Sequence, residues 1–118
     1  MKKVILYSYS KCSTCRKASK WLDQNNIDYE FIDIIKQPPS KKFLELALIQ
    51  FSLDTKKIFN TRSKSFKSID FDIFDLTKKK IIELLSNDGK LIKRPFLIIN
   101  ESKLILGFKE SEYNAFFN

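Results

Sequence analysis

A chain of 118 residues holds one domain with a hydrophobic core and is too short for two. Hydrophobic residues make up 43% of it, with 11 Phe, which excludes a disordered chain. The formal net charge of +8 suits either attraction to nucleic acid, an acidic protein or an oxyanion, or a solvated lysine-rich surface; the even spread of lysines favours the second reading.

Met1-Lys2-Lys3 leads into an apolar run too brief for a signal peptide, and no segment approaches the ~20 apolar residues of a membrane span. A cytoplasmic protein without membrane contact is expected. Residues 3–9 alternate weakly and stop at Ser10-Lys11, predicting a first strand. From Thr14 onward, Cys15, Ala18, Trp21 and Leu22 recur at helical spacing, and Asn25-Asn26 ends that helix. Residues 29–35 predict a second strand. Tyr29 and Phe31 alternate against Asp28 and Glu30, and the alternation breaks at Ile32, as in a strand becoming buried on both faces. Strand, helix and strand in this order form a βαβ unit, so the two strands are expected to be parallel.

After Gln37-Pro38-Pro39, Ser40 is an N-cap for a helix carrying Phe43, Leu44, Ala47 and Leu48. A short helix over Asp54–Phe59 follows, and another runs from Thr77 through Leu85, closed by Asn87-Asp88-Gly89. Lys78-Lys79-Lys80 reads as an exposed first turn, not a nucleic-acid tract. Phe96–Ile99 and Lys103–Leu106 predict two strands joined as a hairpin at Asn100-Glu101-Ser102, and Glu110–Phe117 a last helix. The order is β-α-β, a helical insert at about 40–90, then β-β-α, in a single α/β domain over residues 1–118. Pro95 stands just before the third strand, either with a cis peptide after Arg94 or as a trans proline at the strand's first residue. The general scarcity of cis bonds favours trans.

Both cysteines lie in Lys11-Cys12-Ser13-Thr14-Cys15-Arg16, at the first strand-to-helix junction. Cys12 falls at a helix N-terminus, where unpaired N–H groups and the helix dipole favour a thiolate and make it the attacking thiol. Two intervening residues let Cys15 resolve a mixed disulfide or sulfenic acid on Cys12, giving a redox disulfide between them. With no further cysteine there is no disulfide framework, which fits a reducing compartment. Histidine is absent, which removes Cys–His dyads, Ser–His–Asp triads and histidine metal sites. No metal is expected, and any cation activating Cys12 must be Arg, Lys or the helix end.

Five motifs, in order, resemble the arsenate reductase (ArsC)/Spx family: Cys12 to Ala18, Pro38-Pro39-Ser40, Phe59-Asn60-Thr61-Arg62, Leu91 to Pro95, and Gly107-Phe108-Lys109-Glu110. The resemblance covers nearly the whole chain and implies a thioredoxin/glutaredoxin-like fold, with a mixed four-stranded sheet and Pro95 as a cis-proline facing the active-site thiol. It implies Cys12, Cys15 and Arg94 as the catalytic set, with Lys11, Arg16 and Pro95 in substrate binding. In the glutaredoxin-coupled arsenate reductases of this family, three arginines surround the oxyanion. Only Arg94 matches one of them; the other two positions fall at Asn60 and Gly107, which cannot form an arginine fork. Arsenate reduction is therefore not the expected activity.

Spx-type members use Cys-X-X-Cys as a redox switch and bind the C-terminal domain of the RNA polymerase α subunit. Thr61-Arg62-Ser63-Lys64 looks like Spx, whereas Asp54 falls where a glycine is central to polymerase binding. Uncharacterised bacterial members share this chain's whole motif pattern. The expected function is a small monomeric thiol–disulfide reductase with no bound cofactor, exchanging with a thiol redox partner and drawing electrons from glutathione or a thioredoxin or glutaredoxin. The alternative is an Spx-type regulator binding RNA polymerase, without sequence-specific nucleic-acid contact of its own.

Overall fold

Strand β1 (Val4–Ser8) is buried at every position, and that decides the architecture. Alternate side chains leave a strand on opposite faces, so a wholly buried strand needs cover on both. Val4 and Leu6 enter one hydrophobic cluster and Ile5 and Tyr7 another. The computed structural model describes residues 2–51, 54–70 and 72–117. After β1 come α1 (Ser13–Gln24), β2 (Glu30–Asp33), α2 (Lys41–Gln50), α3 (Lys64–Lys67), α4 (Lys78–Asn87), β3 (Phe96–Ile99), β4 (Lys103–Leu106) and α5 (Glu110–Phe117). Single 3₁₀ turns stand at Thr55–Lys57, Ile73–Asp75 and Gly89–Leu91.

The four strands lie in the order β2-β1-β3-β4. Strands β1 and β2 are parallel, with Leu6 opposite Phe31. The β1–β3 and β3–β4 pairs are antiparallel, with Leu97 between Leu6 and Ile105. On one face, Ala18, Trp21 and Leu22 of α1 and Tyr113 of α5 pack on Val4, Leu6, Leu97, Ile99 and Ile105. Trp21 and Tyr113 meet edge to face at 5.4 Å between ring centres. On the other face, Phe43, Leu44, Ala47 and Leu48 of α2, with Ile81 and Leu85 of α4, cover Ile5, Tyr7, Phe96 and Ile98. This is the α/β, thioredoxin-like mixed sheet that the residue pattern and the resemblance imply.

Local chemistry sets the element ends. Ser40 Oγ accepts the Phe43 N–H at 3.3 Å and Thr77 Oγ1 the Lys80 N–H at 3.3 Å. Each such cap contributes about 1 kcal/mol to its helix. At the hairpin, Asn100 and Glu101 take φ of 53° and 57°, the left-handed pair of a tight β-turn. The carboxamide of Gln50 pairs with the outer edge of β4. Its Nε2 donates to the Leu104 carbonyl at 2.6 Å, and its Oε1 accepts the Leu104 N–H at 2.9 Å.

Three expectations change. The second strand is shorter than 29–35 and is not buried on both faces: β2 is the outer edge, with Phe31 47% exposed. Its alternation breaks because Asp33 Oδ1 accepts the Ile35 and Lys36 N–H groups, at 2.9 and 3.3 Å. That side-chain turn ends the strand and drops Ile34 into the core. The segment Asp54–Phe59 forms only one 3₁₀ turn, because Asp54 caps nothing with its side chain and instead faces Lys57 Nζ at 4.0 Å. Phe59 then extends to bridge Ile92. The Arg94–Pro95 peptide is cis, as the resemblance implies and against the trans reading of the isolated sequence. Among the described residues, no helix is long and apolar enough to cross a membrane.

Gly89, at the start of a 3₁₀ turn, lies hard against the chain leaving β2. A β-carbon there would collide with the Ile34 carbonyl oxygen and its carbon. Both partners are backbone, so relief requires moving the turn or β2. Gly89→Ala should destabilise by about 2 kcal/mol or more, as overpacking does, read as a lower urea midpoint at unchanged slope. A wild-type midpoint would show that the turn yields freely.

Candidate active site at the first helix

Cys12 is the N-cap of α1, with extended backbone (φ −98°, ψ 122°). Where a serine or aspartate oxygen would cap the helix, Cys12 Sγ accepts the Cys15 N–H at 3.4 Å. The Cys12 N–H donates to the Tyr9 carbonyl and its carbonyl accepts the Arg16 N–H, both at 3.0 Å. The Cys12 sulfur is thus pinned between the end of β1 and the first turn of α1. Both cysteines are free thiols; Cys12 is half-buried and Cys15 is 1% exposed.

Their acidities diverge. Burial pushes the Cys12 thiol up, but hydrogen bonds from the Cys15 thiol and N–H, the Arg94 charge and the Thr14 N–H together outweigh it, and the net shift is downward. Burial pushes Cys15 up to about 11; the Ser8 hydroxyl beside it pulls the other way, while Cys12 adds to the rise through its own hydrogen bond and charge. One thiol is therefore prepared for attack and its neighbour is kept protonated, hydrogen-bonding the first. The hydroxyls of Ser8 and Tyr113 are buried without a hydrogen-bond partner of good geometry. Burial and then the Cys15 charge push the Tyr113 phenol up, so this end of the core holds its protons.

Cys12 opens onto a cleft of about 580 Å³ whose lining includes Thr14, Lys56, Asn60, Arg62, Lys93, Arg94, Gly107 and Lys109. Among the described residues, no carboxylate lines it. The Arg94 guanidinium lies 5.3 Å above the Tyr9 ring, and its Nη1 is buried with no hydrogen-bond partner among the described residues. Pro95 is buried behind it, and its carbonyl accepts the Gly107 N–H at 2.9 Å, which joins the two sides of the cleft floor. Gly107 has φ of +76°, a conformation that a side-chain-bearing residue rarely adopts.

Of the residues singled out in the sequence, Cys12 and Arg94 meet in this cleft, with Cys15 directly behind. Lys11 is exposed and does not line it. Arg16 turns the other way: its Nη1 donates to the Ser10 carbonyl at 3.0 Å, and it borders a second hollow with Cys15, Ser8 and Phe31. Lys56, Arg62, Lys93 and Lys109 join the site without having been singled out by the sequence reading. Three of them, Arg62, Lys93 and Lys109, sit inside the five motifs, and that is the signal the chain offers for them.

A β2-β1-β3-β4 sheet, a Cys-X-X-Cys at the first helix N-terminus and a cis-proline before β3 together define a thioredoxin-like redox fold. Comparison with known proteins sharpens this. A model of the ArsC family matches residues 7–116, and the chain belongs to that family. It is 39% identical over 109 residues to the uncharacterised protein YusI of Bacillus subtilis, covering 91% of this chain and 92% of that one. It is 33% identical over 113 residues to the global transcriptional regulator Spx of Lactiplantibacillus plantarum, covering 96% and 85%. Among solved structures, a protein from Streptococcus mutans described as a possible arsenate reductase superposes with a TM-score of 0.90 at 34% identity, covering 99% of this chain and all (100%) of its own.

In the reduced protein, iodoacetamide should alkylate Cys12 with an inflection below the free-thiol value of about 8.5, and Cys15 should stay unreactive at neutral pH. Arg94→Gln removes a cation that favours the thiolate, so the Cys12 inflection should move up. An Arg94→Gln inflection equal to the wild-type one would remove Arg94 from the electrostatics of this thiol.

Proposed function

We propose that this chain is a thiol–disulfide reductase in which Cys12 attacks and Cys15 resolves. The observation that carries this is the opposite shift of two thiols in one helical turn, low at the accessible sulfur and high at the buried one. The Cys12 thiolate attacks a disulfide R–S–S–R′, forming Cys12–S–S–R and expelling R′–S⁻, which takes a proton from solvent. Cys15 then loses its proton and attacks Cys12 Sγ; the Cys12–Cys15 bond forms and R leaves as R–SH. Two electrons have passed to the substrate. A small thiol such as glutathione, or a dithiol protein of the thioredoxin or glutaredoxin kind, returns the pair to its reduced form. A reducing cytoplasm supplies such donors, and the lack of any other cysteine suits it.

Arsenate is a poorer fit as substrate. Arg94 alone stands next to Cys12, and the cleft floor at Asn60 and Gly107 has no guanidinium to complete a fork around a small oxyanion.

The Cys15→Ser variant decides the reductase reading. Offered a disulfide substrate, it should accumulate a stable mixed disulfide on Cys12. The unaltered chain should instead end as an intramolecular disulfide, lighter by two hydrogens and still monomeric. Chiefly intermolecular dimers from the unaltered chain would deny Cys15 its resolving role.

The likeness to Spx supports a second reading, a redox-switched regulator contacting the C-terminal domain of the RNA polymerase α subunit. Asp54 weighs against it. This residue is exposed on the 3₁₀ turn with its carboxylate near Lys57, and a partner covering it must desolvate a charge. Binding to the isolated polymerase domain should therefore be weaker than about micromolar, about −8 kcal/mol, with Asp54→Gly tightening it. Tight binding by the unaltered chain would rank the regulator first.

A further inference from the structure

We infer that the redox partner of this site is a protein whose disulfide lies in an acidic polypeptide segment. This rests on the reductase reading and specifies its substrate. Five cations line the Cys12 cleft, Lys56, Arg62, Lys93, Arg94 and Lys109, and among the described residues no Asp or Glu lines it. Cations gathered around a cleft that no carboxylate lines repel one another, at a cost in stability that grows at low salt. Their distribution matters as much as their number. Arg94 alone is half-buried beside the sulfur, with an unpartnered Nη1; the other four are exposed.

Thr14, Asn60 and Gly107 line the same cleft without charge of their own, and Lys93 Nζ comes within 3.8 Å of where a Gly107 β-carbon would stand. A small oxyanion is held by a focus of buried donors, and here one cation is half-buried at the sulfur while the other four are exposed, a rim rather than a focus. A rim of cations over about 580 Å³ suits an extended anion that crosses the cleft. The occupant must also bring sulfur to Cys12, which disfavours nucleic acid. Oxidised glutathione carries four carboxylates, two of them offset by its ammoniums, and so leaves part of the rim unmatched. A segment with several Asp or Glu around its cystine matches the rim, and the net charge of +8 draws it in from a distance.

The test uses the full reduced chain and three disulfides: one peptide cystine flanked by glutamates, the same peptide with lysines, and oxidised glutathione. Consumption of reduced Cys12 is followed by quenched mass spectrometry. Each rate is divided by the iodoacetamide rate of the same protein, so that changes in the thiolate itself cancel. At low salt the acidic peptide should react at least about tenfold faster than the lysine peptide, the scale of electrostatic steering, with the gap closing at high salt. Arg62→Glu with Lys109→Glu should lower the acidic rate and raise the basic one. Equal rates for the two peptides, or oxidised glutathione reacting as fast as the acidic one, would overturn the inference and leave the reductase reading standing. If no disulfide reacts while iodoacetamide still does, both fall.

Discussion

Strand β1 lies between two hydrophobic clusters, and the site hangs from its C-terminal end. Because Val4 to Ser8 are all buried, the strand cannot slide or tilt without opening one core or the other. Tyr9 then holds the Cys12 N–H with its carbonyl and stacks under Arg94 with its ring. The residue after the strand therefore sets both the sulfur and its cation. Helix α1 enters at an angle fixed by Ala18, Trp21 and Leu22 on the same core, so the N-terminal amides point at Cys12 as a consequence of packing.

From that placement follows a division of labour between sulfurs of the same kind. Cys12 gains hydrogen bonds that outweigh its partial burial, and Cys15 gains burial that its neighbours do not offset. The buried thiol donates to the exposed one, so each reinforces the other's state. When Cys12 is tied up in a mixed disulfide its charge is gone, and with it part of what holds Cys15 protonated. In the proposed reaction, attack by the first sulfur would thereby ready the second.

Much of this was legible in the chain. The helical spacing of Cys15, Ala18, Trp21 and Leu22, the cap Ser40, the helix beginning at Thr77, and the hairpin at Asn100-Glu101 are local signals, and local physics honours them. The status of β2 was not legible, because alternation says which face is apolar and cannot say which strand is outermost. Helix α3, at four residues, is too short to leave a period. The site divides in the same way. Cys12 and Cys15 are neighbours in sequence and in space. Lys56, Arg62, Lys93 and Lys109 lie on separate stretches that only the fold assembles. Lys11 and Arg16 flank the cysteines in sequence and still stay out of the cleft, since adjacency along a helix turn does not place side chains on one face.

Gln50 gives the sheet a finished side and an unfinished one. Its carboxamide offers β4 a donor and an acceptor, as a fifth strand would, and so fills the hydrogen-bonding positions of Leu104. An incoming chain would find the Leu104 groups already paired. The opposite margin, along β2, has Glu30 and Phe31 exposed. A further strand would have to displace Gln50 to join β4, whereas along β2 it would run beside Phe31, which with Arg16 borders the hollow behind Cys15.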